Sequence, residues 1–187
     1  LMFDLYLLHI IGNGIKYYSS SRTLFDPLFP HVSEAMRTRM WNSLQEESIS
    51  LDGSFNIRTA GRLPLITVQS SEQFFDQQGL AQNGGENVNH IFTSQEAIVN
   101  IFTEAIETTR LIQTIVQASV LLFKDVLIKG HFQNVIYVGS SPLIPESALQ
   151  GENLTTYGRQ VRFSALHLLE IPAKIEQLDD IGAVDPQ

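Results

Sequence analysis

At 187 residues the chain has room for one domain of ordinary size, and it is long enough to bury a core without a metal or disulfide staple. Apolar residues make up 43% and charged residues 17%, which excludes a disordered chain, a coiled coil and a collagen-like repeat. Twelve Lys and Arg against twenty Asp and Glu leave a net charge of −8, which argues against coating a nucleic-acid backbone by counterion release and against an anionic membrane surface.

Leu5, Leu8 and Ile11 share a helical spacing at the start, and Gly12 and Gly14 predict that this short helix stops near Gly12. Ser19, Ser20 and Ser21 read as a loop, and Asp26-Pro27 and Phe29-Pro30 as an extended or turning path. Ser33 is placed to cap a helix through Glu34, Met36, Met40, Trp41 and Leu44, with Arg37 and Arg39 on its other face. After Asp52-Gly53 the period changes. Phe55 and Ile57 alternate with Asn56 and Arg58, and Leu63 to Val68 is an apolar run with Pro64 at its start or on an edge, so strand, turn, strand is predicted. Ser70 to Asn89, with Gly79, Gly84, Gly85 and many amides, is long for a connection inside a compact domain and reads as an arm or functional excursion.

In the second half, His90 to Ala105 alternates, with Ala97, Val99, Ile101, Thr103 and Ala105 on one side and Glu96, Asn100 and Glu104 on the other. From Glu107 the period lengthens to that of a helix. Leu111, Ile112, Ile115, Val116, Ser119, Leu122, Phe123, Val126 and Leu127 form one broad stripe, closed by Gly130 as a C-terminal cap. Phe132 to Val138 follows as a strand, then a loop with Pro142 and Pro145 running to Gly151. Thr156 to Ile171 alternates again, with Val161, Phe163, Ala165, His167, Leu169 and Ile171 sharing a face, and Pro172 ends it. Residues 173–187 form an acidic tail. The expected fold is a single α+β domain over 1–187, with a helical N-terminal part at 1–50. Its mostly antiparallel sheet of about four to five strands carries one long helix and two shorter N-terminal helices on one face.

Chemistry is harder to place. The chain has no cysteine, so disulfides, thiolate zinc sites and Cys nucleophiles are absent. Gly12-Asn13-Gly14 lacks the third glycine and the preceding strand of a phosphate loop and reads as a helix-ending turn. His9, His31, His90, His131 and His167 are scattered without ligand spacing, and His167 points with the core-facing residues. Ser140-Ser141-Pro142 follows a strand but has no nucleophile elbow and no nominated base. Glu46 and Glu47 read as a solvated helix end, and Glu104 and Glu107 straddle a strand-to-helix junction. No catalytic, cofactor-binding or metal-ligating residue is therefore assigned, and no enzyme activity is expected. Asn153-Leu154-Thr155 matches a glycosylation sequon, which counts only behind a signal peptide, and Leu1 to Leu5 has no basic start and carries Asp4. No apolar run approaches the length of a membrane span, about 20 residues. Arg159 and Arg162, with Arg58 and Arg62, form either a basic stripe for an acidic neighbour or edge charges that block sheet aggregation. The polar surface is drawn largely from 14 Gln, 9 Asn, 16 Ser and 11 Thr, which favours packing against other protein because interface cores are depleted in charge.

From about Phe55 to Ile171 the chain resembles the tail terminator, or tail completion and neck, proteins of tailed bacteriophages. The resemblance is carried by the strand start Leu63-Pro64-Leu65-Ile66-Thr67-Val68, a variable loop, and a long strand running into a helix, Glu96 to Ala105 followed by Thr108-Thr109-Arg110-Leu111-Ile112. A strand, a proline-containing loop and a last strand with Tyr157-Gly158-Arg159 complete it. It implies a non-enzymatic virion protein, assembled in the host cytoplasm into a ring, commonly a hexamer. That ring caps the tail tube or sheath and meets the head-tail connector proteins, with no cofactor, no membrane and no sequence-specific nucleic-acid binding. Under that reading Ser70 to Asn89, Ser140 to Gly151 and the acidic tail contact neighbours. Another viral or phage shell or connector protein, or a non-viral protein-binding module, are the alternatives.

Overall fold

The computed structural model describes residues 3–53, 63–75, 82–83, 88–145 and 156–172. In chain order the elements are α1 (Phe3–Ser20), α2 (Arg22–Phe25), a 3-10 turn (Asp26–Leu28), α3 (Glu34–Glu46), β1 (Ser50–Asp52), β2 (Leu65–Phe75), β3 (Gln82–Asn83) and β4 (Val88–Thr103). They continue with α4 (Ile106–Leu122), α5 (Lys124–Lys129), β5 (Phe132–Ser140), β6 (Ile144–Pro145) and β7 (Tyr157–Pro172). The fold is α+β, as the strand and helix periods predict.

The sheet runs β1-β2-β4-β7-β5, with β3 added to β4 and β6 added to β7. Its spine is the β4–β7 pair, antiparallel over the full length of both strands, from Val88 opposite Pro172 to Thr103 opposite Tyr157. Among the described residues only the short β1 is parallel to its neighbour, β2. Alternation fixes which way each side chain points. Ala97, Val99 and Ile101 of β4 lie beside Val161, Phe163 and Ala165 of β7 and Ile66 and Val68 of β2, all buried under Phe3, Leu7, Ile10 and Ile11 of α1 and Ile112, Val116 and Val120 of α4. On the opposite face Thr67 and Asn100 are register partners and both buried, and the Asn100 amide donates to Thr67 Oγ1 at 3.2 Å. Pairing the two polar groups removes the penalty of burying either alone.

A second cluster forms where Leu111 and Ile115, on the flank of α4, meet Tyr18, Phe25, Phe29, Met40 and Leu44. The broad stripe on α4 thus serves two neighbours, the sheet below and α3 beside it. Ser33 caps α3 as predicted, accepting from the Met36 N–H at 3.4 Å. Arg22 ties α2 to α3, donating to Thr38 Oγ1 at 2.7 Å and pairing with Asp26 at 3.3 Å. At the junction of β4 and α4, the Thr103 hydroxyl donates to the Ala105 carbonyl at 2.8 Å and bonds the Thr109 hydroxyl one turn into the helix. Ala105 has no capping side chain of its own, so these threonines hold the helix start in place.

Several expectations are corrected. The first helix does not stop at Gly12: α1 continues to Ser20, and Gly12-Asn13-Gly14 is helix interior rather than a turn. A Cβ on Gly14 would overlap the Ser119 side chain of α4, and one on Gly12 would stand 3.1 Å from Leu51 Cδ1. The glycines are therefore close-packing contacts, and α1, at 18 residues, is no shorter than α4, at 17. Ser19 and Ser20 end α1, and Ser21 caps α2 instead of lying in a loop. The single long helix is two, because the chain turns at Phe123 (φ −101°, ψ 24°). Leu127 still enters the core, but Leu122 leaves it. Gly130 caps α5 as expected, with Tyr6 so close that a Cβ would meet its ring at 2.7 Å, while His131 takes the left-handed conformation, φ 64°. The first strand is Ser50–Asp52, ahead of Asp52-Gly53; the predicted strand at Phe55 and Ile57 lies outside the described residues. The Ser70 to Asn89 excursion is strand at both ends, since β2 runs to Phe75 and β4 starts at Val88, with β3 between them. The strand predicted to reach Ala105 ends at Thr103, and Ala105 is exposed.

Candidate assembly interface

Most residues singled out for chemistry are committed elsewhere or stand apart. His9 Nε2 lies 2.9 Å from the Asn13 amide one helical turn away, and His31 is exposed. The His90 side chain lies outside the described residues, as do Arg58, Arg62, Asn153-Leu154-Thr155 and the 173–187 tail. Among the described residues no three His, Asp or Glu side chains converge as a metal site. Ser141 Oγ accepts from the Gln160 N–H and donates to the Pro142 carbonyl, each at 3.0 Å, and so fastens the β5–β6 connection to β7. Glu46, Glu47 and Glu104 are exposed, and exposed Glu107 sits 3.9 Å from Arg39, a surface pair of small energetic weight. Of the arginines, Arg159 is half-buried and tied to its own chain, donating to Gln113 Oε1 on α4 at 2.7 Å and to the Ser141 carbonyl at 3.0 Å; Arg162 is exposed on the opposite face of β7.

His167 is the histidine with the most distinctive setting. Its ring stacks on Phe132 at 4.7 Å between centroids, and its Nδ1 is buried without a hydrogen-bond partner. Burial lowers its pKa below the ordinary 6.5, and neighbouring His131 pushes the same way. The unfolded chain therefore takes up this proton more readily than the folded one. Stability should be at its full value above pH about 6.5 and fall as the pH drops toward the lowered folded value. Urea midpoints between pH 7.5 and 5 check this. The decline should be shallower in His167→Phe than in the parent chain, and equal slopes would remove His167 as its source.

What the fold brings to the surface is apolar and uncharged. β5 reads Phe-Gln-Asn-Val-Ile-Tyr-Val-Gly-Ser and contains no charged residue. It pairs with β7 on one side only and is an edge of the sheet among the described residues. Ile136, Tyr137 and Val138 are 58%, 47% and 53% exposed, and the Tyr137 ring packs edge-on against Phe163. Two register shifts, one spanning Asn134 (φ 50°) and one before Gly139 (φ 158°), bend the strand around this stretch. A groove beside it is lined by Lys124 and Ile128 of α5 and by Phe132 to Ile136 of β5. Natural sheets usually protect an edge with Lys, Pro or covering chain, and a hydrophobic edge left bare marks a surface that another chain covers. Sequence reasoning took Phe132 to Val138 as an ordinary strand. The signal it passed over was the missing charge across nine residues.

At the far side of the sheet lies β1, with Leu51 38% exposed. A shallow groove there runs between α1 and β1 past Leu8, Gly12, Ile49 and Leu51. Glu46 and Glu47, at the end of α3, stand exposed just ahead of this strand.

The chain matches no protein-family model and no curated protein. Among the described residues no helix is long and apolar enough to cross a membrane.

Proposed function

We propose that this chain is a non-enzymatic structural subunit of a virion, a tail terminator or neck protein that assembles with copies of itself into a ring. The ring caps the tail tube or sheath and offers a docking face to the head. The observation that carries the reading is the uncharged edge strand β5, on which Ile136, Tyr137 and Val138 are each about half exposed. Such an edge is suited to continued pairing or close packing with another protein chain. The element order adds support: a strand beginning Leu65-Ile66-Thr67-Val68 after Pro64, a long strand running directly into a helix, and a last strand beginning Tyr157-Gly158-Arg159 follow the pattern of the family the sequence resembles, although β2 is paired on both sides by β1 and β4 and is no edge. Arg159, in that last motif, tethers the final strand to α4.

Native mass spectrometry or light scattering across a range of concentrations tests the reading. The expected result is a closed oligomer, or a monomer that becomes one when tail tubes are added. A chain that stays monomeric with tubes present overturns it.

A further inference from the structure

We propose that His167 is a proton-operated latch on the edge strand β5: the neutral ring holds the first residues of β5 against β7, and in mildly acidic solution a proton on that ring favours the state in which they have let go. The latch itself needs no partner. Its effect on assembly rests on the reading of β5 as the contact surface above.

The contact sits where β5 is held least. Among the described residues β5 pairs with β7 on one side only, and its first section is short: Phe132 opposite His167 and Gln133 opposite Leu166, before the register shifts ahead of Ile136. The Leu168 N–H donates to the His131 carbonyl at 3.0 Å and ties the preceding turn to β7. His131 (φ 64°) and Asn134 (φ 50°) bracket the section. Both hold the left-handed conformation, which residues other than glycine keep only when their surroundings impose it. The stack of His167 on Phe132, 4.7 Å between centroids, joins the two strands at this place, so the section has few other bonds to hold it once the stack is lost.

Protonation acts on this stack directly. A proton added to the neutral ring leaves both nitrogens as N–H donors, and Nδ1 is buried with no acceptor in reach. A buried donor that carries charge and has no partner is costly, whereas in the released state the ring returns to water. Attraction of the cation to the Phe132 face offsets part of that cost. The surrounding charges add to it: burial, the amino terminus and His131 all lower the His167 pKa, and no carboxylate enters. From the other elements, β5 brings no charged residue, β4 brings Thr93 as the register partner, and α1 brings the Tyr6 phenol, edge-on to Phe132. Asp4 of α1 accepts from the Leu5 N–H, and Lys129 of α5 is exposed. The size of the bias follows from the released state. If the free ring takes up its proton at the ordinary 6.5 while the held ring stays neutral, opening rises about thirtyfold from pH 7.5 to pH 5. The held ring also titrates, so thirtyfold is the ceiling.

Hydrogen exchange read by mass spectrometry tests the latch on the full chain at pH 7.5 and pH 5, with the intrinsic exchange rates divided out. Amides of Phe132 to Ser140 should lose between about threefold and thirtyfold of their protection at pH 5, relative to Ala97 to Ile101 of β4. His167→Phe keeps a ring beside Phe132 without a titrating nitrogen and should abolish the loss. Where circular dichroism shows that this variant does not fold, His131→Asn serves instead, since asparagine tolerates the left-handed conformation. It removes one positive neighbour and should shrink the loss without changing its sign. Equal protection at the two pH values in the parent chain, an undiminished loss in His167→Phe, or an unchanged loss in His131→Asn overturns the latch and leaves the ring reading standing. Native mass at the same two pH values reads the consequence. The parent oligomer should dissociate more readily at pH 5, and that of His167→Phe should not. An oligomer indifferent to pH while β5 opens overturns β5 as the contact surface and leaves the latch. A parent chain that stays monomeric with tail tubes at pH 7.5 removes the ring reading, and the exchange result still decides the latch.

Discussion

Replacing Phe132 by alanine should destabilise the fold by about 3–5 kcal/mol, a large part of the total stability of a domain this size. Phe132 is fully buried and its ring touches three others: Phe3 at 5.1 Å, Tyr6 at 5.3 Å in an edge-on arrangement, and His167 at 4.7 Å. These partners come from the start of α1 and from β7, and Phe132 itself opens β5, so one side chain joins three elements. Alanine would leave a cavity among these three rings. With roughly 2–4 °C lost per kcal/mol for a domain of this length, melting should drop by about 6–20 °C. Thermal and urea unfolding measure it, and a loss under about 1 kcal/mol would show that the aromatic cluster is not the anchor its geometry indicates. Because β5 starts at this residue, a weakened anchor should also loosen the edge strand proposed to meet the next copy.

The second large effect is expected at Gly14. Two tendencies oppose each other there. A glycine inside a helix is worse than alanine by about 1 kcal/mol, so alanine would favour α1 taken alone. In the folded chain, however, the new Cβ overlaps the Ser119 side chain, and the Ser119 Cα is only 3.3 Å away. Ser119 is fully buried and its hydroxyl is bonded to the Ile115 carbonyl at 2.6 Å, so it has little freedom to swing aside. The helices must separate, and overpacking of this kind costs about 1–3 kcal/mol. Steric overlap should outweigh propensity: Gly14→Ala is expected to lose about 1 kcal/mol and Gly14→Val about 3 kcal/mol. Ser119→Gly should recover part of the Gly14→Ala loss, a coupling that a double-mutant cycle reads directly. If Gly14→Ala instead raises the melting temperature, the α1–α4 crossing is looser than described.

Gly14 also shows why the N-terminal half is harder to read than the second half. A glycine breaks a helix if only its own backbone freedom is weighed, and the contact that reverses this expectation is with Ser119, far away in the sequence. The same holds for Ser70 to Phe75. Amides and serines without a clear period do not announce a strand, and they become one because β4 offers a ladder to pair with. By contrast, Ala97 to Thr103 and Leu111 to Val120 carry their burial in their own spacing, as Ser33 carries its capping role, and these are legible. The break at Phe123 is not, since the apolar stripe continues across it and only the turn of the backbone moves Leu122 outward while Leu127 stays in.

The candidate interface is legible in part. The composition of β5 stands in the sequence, but its exposure depends on which strand ends the sheet, a property of strand order rather than of any local pattern. The amide-rich composition points toward contact with other protein without locating it. Arg159 shows the reverse. It reads as a surface charge in sequence, yet it is spent on Gln113 and Ser141 within the molecule.

The β4–β7 pair has a mechanical consequence. Sixteen residues of strand measure roughly 54 Å along their contour, while the seventeen residues of α4 measure roughly 26 Å, so that helix spans only about half of the pair it lies on. The strands are antiparallel and bonded from one end to the other. A pull that slides one against the other loads all their ladder bonds in shear together, whereas a pull that peels them apart from the Val88 and Pro172 end opens the bonds one after another. The same two strands are therefore stiff in one direction and compliant in the other, which suits a part that must bear load along the strands and yield across them.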